Sequence, residues 1–211
     1  MKKHCFSLLV TLILCSPNLN DASAAAIIAP DPWLITAMQV GPATITSSEK
    51  QLIETLLSDA RSERRPGAEG QGSYPVTLLY PDSNQEIQVW WSDETRTHPG
   101  SIRITKADSP WHTARGIRVG MTLAKLVKLN EGSIGFYGFG WDYGGWVFRQ
   151  APILTADGLS LSLRLRPAGD NFPAGFNGDK PLSSDNPNLP LDRVIVSVLI
   201  LDFKSDSIPA R

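Results

Sequence analysis

The sequence predicts an α+β fold of two tandem halves, each a short helix followed by an antiparallel meander. Two amphipathic stretches, around Leu52 and around Leu126, carry helix-start chemistry. Each is followed by short β-prone runs with turn residues between them. The halves also echo one another, since Ile45-x6-Leu52-Ile53 aligns with Val119-x6-Leu126-Val127. The halves are placed at 25–110 and 111–211, after a signal peptide at 1–24, with one compact domain as the alternative to two.

Residues 25 to 40 are Ala-rich and contain Pro30 and Pro32, which reads as an arm or a first edge strand. Thr46-x-x-Glu49 and Ser48-x-x-Gln51 both fit a capping box. Leu52, Ile53, Leu56 and Leu57 then recur at helical spacing, so a helix is expected to end near Ala60. Arg61 to Gly72 is polar and includes Pro66, Gly67 and Gly70, which predicts a loop. Val76–Tyr80, Glu86–Trp91 and Ser101–Thr105 are predicted strands, with turn chemistry at Pro81-Asp82-Ser83-Asn84. Trp90 and Trp91 are adjacent in one of them, so they must face opposite sides of the sheet.

In the second half, Leu123, Leu126 and Val127 form the apolar face of a helix starting near Met121 or Thr122 and stopped by Gly132. Ile134–Phe139, Trp146–Arg149, Leu159–Leu165 and Val194–Phe203 are predicted strands. The last is an almost unbroken apolar run, as expected of a central strand covered on both faces. Pro167 to Pro190 is long and rich in Gly, Asn, Asp and Pro, which predicts a loop. Phe172 and Phe176 within it predict docking onto the body of the protein.

The N-terminus reads as an export signal. Lys2 and Lys3 precede the apolar stretch Phe6–Leu14, about nine residues long and too short to span a bilayer. Ala22-Ser23-Ala24 is a small-x-small cleavage site, so a periplasmic or secreted protein is expected to begin at Ala25. The alternative is a lipoprotein anchored through Cys15, against which stands the bulky Leu14 before it. Both cysteines, Cys5 and Cys15, lie in the signal, leaving a mature chain with no disulfide, thiolate metal site or cysteine nucleophile. About 190 residues suffice to bury a core without disulfides. With 20 basic and 21 acidic residues and no basic cluster, nucleic acid is not an expected partner, and no transmembrane segment is expected in the mature chain.

No reaction centre emerges. The chain lacks a Gly-x-Ser-x-Gly elbow, a His-Glu-x-x-His helix, a phosphate-binding glycine loop and a calcium loop. No catalytic residue, metal ligand or cofactor is therefore expected, and enzymatic activity is not favoured. The candidate ligand-binding residues are aromatic and acidic: Trp141, Asp142, Tyr143 and Trp111. Tryptophan and tyrosine beside a carboxylate can form a sugar-stacking platform. The competing expectation is architectural, with Asp142 accepting backbone N–H groups to pin the glycine-rich hairpin. The glycines around Trp141 (Gly138, Gly140, Gly144, Gly145) point to unusual dihedrals or close approach of another chain segment.

Gly116, Ile117, Gly120, Leu123, Leu129 and Asn130, followed by Gly138-Phe139-x-Trp141-Asp142-Tyr143-x-Gly145, resemble the pattern of a family of uncharacterised exported bacterial proteins. Glu69-Gly70, Ser109-x-Trp111 and Ser184-Asp185-Asn186-Pro187 extend the resemblance over most of the mature chain. The chain departs from the pattern at Asn130-Glu131-Gly132, where the family has Asn followed directly by Gly. The family implies no activity. Ile117-Arg118-Val119-Gly120-Met121-Thr122 is also similar, more loosely, to the helix start of β-lactamase-inhibitor-protein-like domains and small outer-membrane assembly lipoproteins. That similarity implies an antiparallel sheet that binds other proteins through its face.

The expected function is non-catalytic binding or scaffolding in the cell envelope, with an envelope protein as partner. The alternative is a glycan-binding or glycan-active cell-wall protein that uses Trp141, Asp142 and Tyr143.

Overall fold

The computed structural model describes residues 30–66 and 72–203. The signal peptide, Cys5, Cys15, Glu69-Gly70 and the first residues of the N-terminal arm lie outside the described residues. From Asp31 onward the chain forms one compact unit.

The strands and helices run in this order. Small strands β1 (Leu34–Ile35), β2 (Gln39–Val40) and β3 (Ala43–Thr44) precede helix α1 (Glu49–Leu56). Four longer strands follow: β4 (Ala60–Pro66), β5 (Ser73–Leu79), β6 (Ile87–Trp91) and β7 (Pro99–Ile104). After β8 (His112–Thr113) come helix α2 (Leu123–Asn130), β9 (Gly135–Tyr137), β10 (Leu161–Pro167), β11 (Pro181–Ser183) and β12 (Val194–Asp202). A six-stranded antiparallel sheet in the order β10-β12-β7-β6-β5-β4 is the frame of the molecule. This is an α+β architecture. Among the described residues no helix is long and apolar enough to cross a membrane.

Both helices pack on one face of the sheet. Leu52 of α1 and Leu123 and Leu126 of α2 share a single core with Leu79, Val89, Ile102, Leu163 and Leu199 from the strands. Of the two expected capping boxes, Ser48 forms the real one. Its hydroxyl accepts from the Gln51 N–H, and the Gln51 side chain accepts from the Ser48 N–H at 2.9 Å. α1 ends at Leu56, earlier than expected, because Leu57 swings to a φ of +51° and starts a tight turn into β4. At the end of α2, Glu131 itself takes the left-handed conformation, at φ +56°. The residue that interrupts the Asn-Gly pattern thus does the work a glycine would do.

Arg61 to Gly72, expected to be a loop, is strand through Pro66. β4 pairs residue for residue with β5, from Ala60 opposite Leu79 to Pro66 opposite Ser73. Its polarity belongs to an edge strand, where charged side chains discourage pairing with another chain. The Arg64 guanidinium bonds Glu94 at 2.9 and 3.0 Å and reaches across to the Ser73 carbonyl.

β12 explains its own apolar run. Arg164 pairs with Val198 but Leu165 pairs with Val196, so Ser197 is an extra residue on β12. That bulge reverses the alternation. Val194 and Val196 face the core before it, and Leu199 and Leu201 after it. The expected cover on both faces is only partial: the opposite side, with Val198 half-buried and Ile200 6% exposed, floors a groove.

Of the remaining expected strands, Ile134–Phe139 contracts to β9, which pairs with β11. Trp146–Arg149 forms no regular strand. Residues 145–148 instead stitch β9 to β10 through bonds from Val147 N–H to the Leu163 carbonyl at 3.0 Å and from Tyr137 N–H to the Trp146 carbonyl at 3.1 Å. In the 167–190 segment, Phe172 packs against Phe139 and Phe176, with ring centroids 5.6 and 5.8 Å away.

Glu49, the first residue of α1, ties the helix to the sheet. Its carboxylate accepts hydroxyl bonds from Thr77 and Ser62, both at 2.7 Å, and pairs with Arg96 at 2.8 Å. Burial opposes its ionisation, but the bonds from Thr77, Ser62 and Arg96, with the Arg96 charge, hold its pKa below the ordinary 4.5. A carboxylate with a lowered folded pKa stabilises the fold above the unfolded value and loses that contribution as pH falls through the folded one. Glu49→Gln is therefore expected to cost about 2 kcal/mol near pH 7. In urea denaturation at several pH values, the gap from the parent should narrow below pH 4.5. A gap that stays constant down to pH 2 would refute the ionic account.

Candidate functional site

The sheet face away from the helices carries a groove of about 1150 Å³. Its floor comes from side chains that alternate with the core residues: Tyr74 on β5, Trp90 on β6, Arg103 on β7, Ile200 and Asp202 on β12, and Arg164 on β10. Its wall is the segment 137–150, which contributes Tyr137, Asp142, Tyr143, Trp146 and Phe148. A recess of about 380 Å³ shares Trp90, Arg103, Trp146 and Arg164 with the groove and adds Arg65 and Gln88.

Guanidinium groups lie against indole rings in this groove. The Arg103 Cζ sits 3.6 Å from the centre of the Trp90 ring. The Arg164 Cζ lies 5.7 Å from that of Trp146. Both are cation–π arrangements. Tyr74 tilts against Trp90 at 6.3 Å, and Tyr137 meets Phe148 edge-on at 4.8 Å. Tyr74, Tyr137 and Tyr143 remain 39–42% exposed, so the rim presents aromatic faces to solvent.

The wall is held by backbone rather than by a carboxylate. Gly138 donates to the Lys180 carbonyl at 2.8 Å and Phe139 to the Phe176 carbonyl at 2.9 Å, fastening the hairpin to the 167–190 segment. A Cβ on Gly138 would stand 2.5 Å from the Gly178 carbonyl oxygen, so this glycine permits the close approach of that segment. On the other side Arg164 reaches in. Its Nε donates to the Gly144 carbonyl at 2.7 Å, and one terminal nitrogen donates to the carbonyls of Asp142 at 2.9 Å and Trp141 at 3.3 Å. One cation thus satisfies three carbonyls of a tight turn.

The structure separates the four expected ligand-binding residues. Asp142 and Tyr143 stand in the groove. Asp142 is exposed, and among the described residues its carboxylate has no hydrogen-bond or ion-pair partner. The architectural role expected of it belongs to Arg164, because Asp142 offers only its carbonyl to the turn. Trp141 is half-buried behind the wall. Its Nε1 donates to the Gly138 carbonyl at 2.9 Å, and its ring supports Tyr137 and Tyr143 at 5.9 and 5.5 Å. Trp111 is not at the groove. It is 2% exposed in the core, edge-on to Trp33 at 5.0 Å, with its Nε1 bonded to the Gln85 carbonyl at 2.9 Å. A ligand-binding role for Trp111 is therefore withdrawn, since neither its ring nor its N–H is open to a ligand.

Sequence reasoning missed Arg103, Arg164, Trp146 and Tyr74. The one signal was the Trp90-Trp91 pair. Trp91 is buried with its Nε1 on Thr77, and Trp90 faces the groove. Among the described residues no group of three His, Cys, Asp or Glu side chains is arranged to hold a metal ion.

No family model matches the chain, and no curated protein matches it. Among solved structures it is similar to the uncharacterized protein yfeY from Escherichia coli, at 15% identity and a TM-score of 0.47, covering 80% of this chain and 99% of that one.

Proposed function

We propose that this chain is an exported binding protein of the cell envelope that acts without catalysis, periplasmic or secreted, and that the groove is its ligand surface. The observation that carries the reading is the groove itself: a concave stretch of the sheet face away from α1 and α2, where tryptophan, tyrosine and arginine converge. These residue types dominate the energetics of binding surfaces. In the first form of the reading the groove holds part of another envelope protein. The second form, a cell-wall glycan, is favoured by Asp142 and Tyr143 standing together at the rim, with Trp141 bracing the tyrosine ring.

The proposal extends to the fold. The order α1-β4-β5-β6-β7 and the order α2-β9-β10-β12 support two tandem helix-plus-meander halves of β-lactamase-inhibitor-protein-like design, each helix preceding antiparallel strands and lying on the same side. In that design the groove is the face left for a partner.

A photoreactive side chain at Tyr143 tests the groove, with one at the exposed Lys125 on α2 as its control. In intact producing cells, crosslinks to an envelope component are expected from position 143 and not from 125, and the product should fractionate with the envelope. Equal crosslinking from both positions would refute the groove as the ligand surface.

A further inference from the structure

Arg103 is the most unusual charge in the molecule. Its Nε is shut off from solvent and, among the described residues, has no hydrogen-bond acceptor. The same holds for Nε1 of Trp90, on which its guanidinium lies. Guanidinium stays charged in proteins, so burial cannot be relieved by losing the proton. Burial, reinforced by Arg65 and countered by Asp202, pulls the Arg103 pKa below its ordinary value. Asp202 accepts the Ser162 hydroxyl at 2.9 Å and forms no ion pair with Arg103. Of the other two arginines in the recess, Arg65 is paired with Glu63, whereas Arg164, among the described residues, bonds only carbonyls. A buried polar group without a partner calls for an explanation, and a missing ligand is one.

We infer that the groove takes an acidic glycan, with a carboxylate seated in the arginine recess at Arg103 and the sugar rings laid against the aromatic wall. The inference rests on the groove being the ligand surface. Charge argues for the anion, because two of the three recess arginines have no carboxylate partner among the described residues. Arginine's planar fork suits a carboxylate held in two-point contact while its face stays stacked on an aromatic ring. Shape and chemistry argue for a sugar chain over a peptide. The groove is concave and close to the size of small-ligand sites, whereas protein interfaces are broad patches. Its floor is a sheet face whose backbone groups are spent in the ladder, leaving an extended peptide no main chain to pair with. Tyr74, Tyr137 and Tyr143 each combine an apolar face with a hydroxyl, as a pyranose ring requires.

Calorimetric titration at low ionic strength with hexagalacturonate, neutral chitohexaose and a hexaglutamate peptide tests the inference. Hexagalacturonate should bind, quench tryptophan emission and weaken with added salt. Chitohexaose and hexaglutamate should each bind at least about tenfold more weakly. Arg103→Gln should reduce hexagalacturonate affinity at least about tenfold, with an unchanged melting temperature, and Arg103→Lys should recover only part of it. Equal binding of chitohexaose would overturn the anion site, and equal binding of hexaglutamate would overturn the glycan. Full affinity in a folded Arg103→Gln variant, or no binding of hexagalacturonate, would also overturn the inference. In each case a Tyr143-specific crosslink would leave the groove itself standing.

Discussion

Gly145→Ala should destabilise the protein by about 4 kcal/mol or leave it unable to fold, the range reserved for steric conflict at a special backbone position. Gly145 has a φ of +83°, and a Cβ built on it would lie 2.0 Å from the Leu165 carbonyl oxygen and 3.0 Å from its carbon. The left-handed conformation alone costs a side chain about 1–2 kcal/mol. The collision adds the larger part, because neither chain can retreat. The Leu165 N–H donates to the Gly145 carbonyl at 2.7 Å, and Leu165 is 1% exposed in β10. The groove wall hangs from this contact. Gly169→Ala is the control: its φ is +73°, and an added Cβ meets nothing within 4 Å. Urea denaturation should separate the two variants, with Gly169→Ala losing only about 1 kcal/mol. Equal losses would refute close approach as the reason for glycine at 145.

Arg164→Ala should release the hairpin that forms the wall. Three carbonyls lose a charged donor at once, and a global loss of about 3 kcal/mol is expected. The local signature is sharper. The Gly144 N–H bonds the Trp141 carbonyl and the Gly145 N–H bonds the Tyr137 carbonyl, both at 2.9 Å. Hydrogen exchange at these two amides should accelerate more than at Leu163 or Leu199 in the sheet. Arg164→Lys should fail to restore it, since a single ammonium on a flexible stem cannot reproduce the planar fork. Unchanged protection at Gly144 and Gly145 would show that the backbone bonds to 176–180 suffice. Because Arg164 shapes the wall, its loss would disturb any ligand indirectly, which is why Arg103 carries the binding test.

Several elements were legible because their causes are local. Ser48 and Gln51 announce α1, and Thr122 caps α2 by accepting the Lys125 N–H. The strict alternation of Ile87, Val89 and Trp91 marks both a strand and its inward face. Phe172 and Phe176 signal docking inside a glycine-rich loop. β4 was hidden for the opposite reason. An edge strand of arginine, serine and glutamate has no apolar period, and it becomes a strand only because β5 lies beside it. β12 shows in the sequence as an apolar run that predicts cover on both faces, whereas its physical cause is a bulge at Ser197 that transfers the core positions from one parity to the other.

The candidate site divides along the same line. Asp142 and Tyr143 were singled out by their aromatic neighbours and do stand in the groove, whereas Trp111 shares their residue chemistry and lies in the core. Composition cannot separate these cases, because a tryptophan is equally suited to fill a core or to line a binding face. The sequence by itself determined the α+β class, where both helices start, and the inward faces of β6 and β7, all set by residues within a turn or a strand of one another. Only the tertiary structure decided the groove. It exists because β12 pairs with β7 and β10 across long separations, which brings Arg103 and Arg164 to one face as residues 145–148 carry the aromatic wall alongside. Pairings between distant segments leave no local period to read, and they alone place the Arg103 guanidinium over the Trp90 indole.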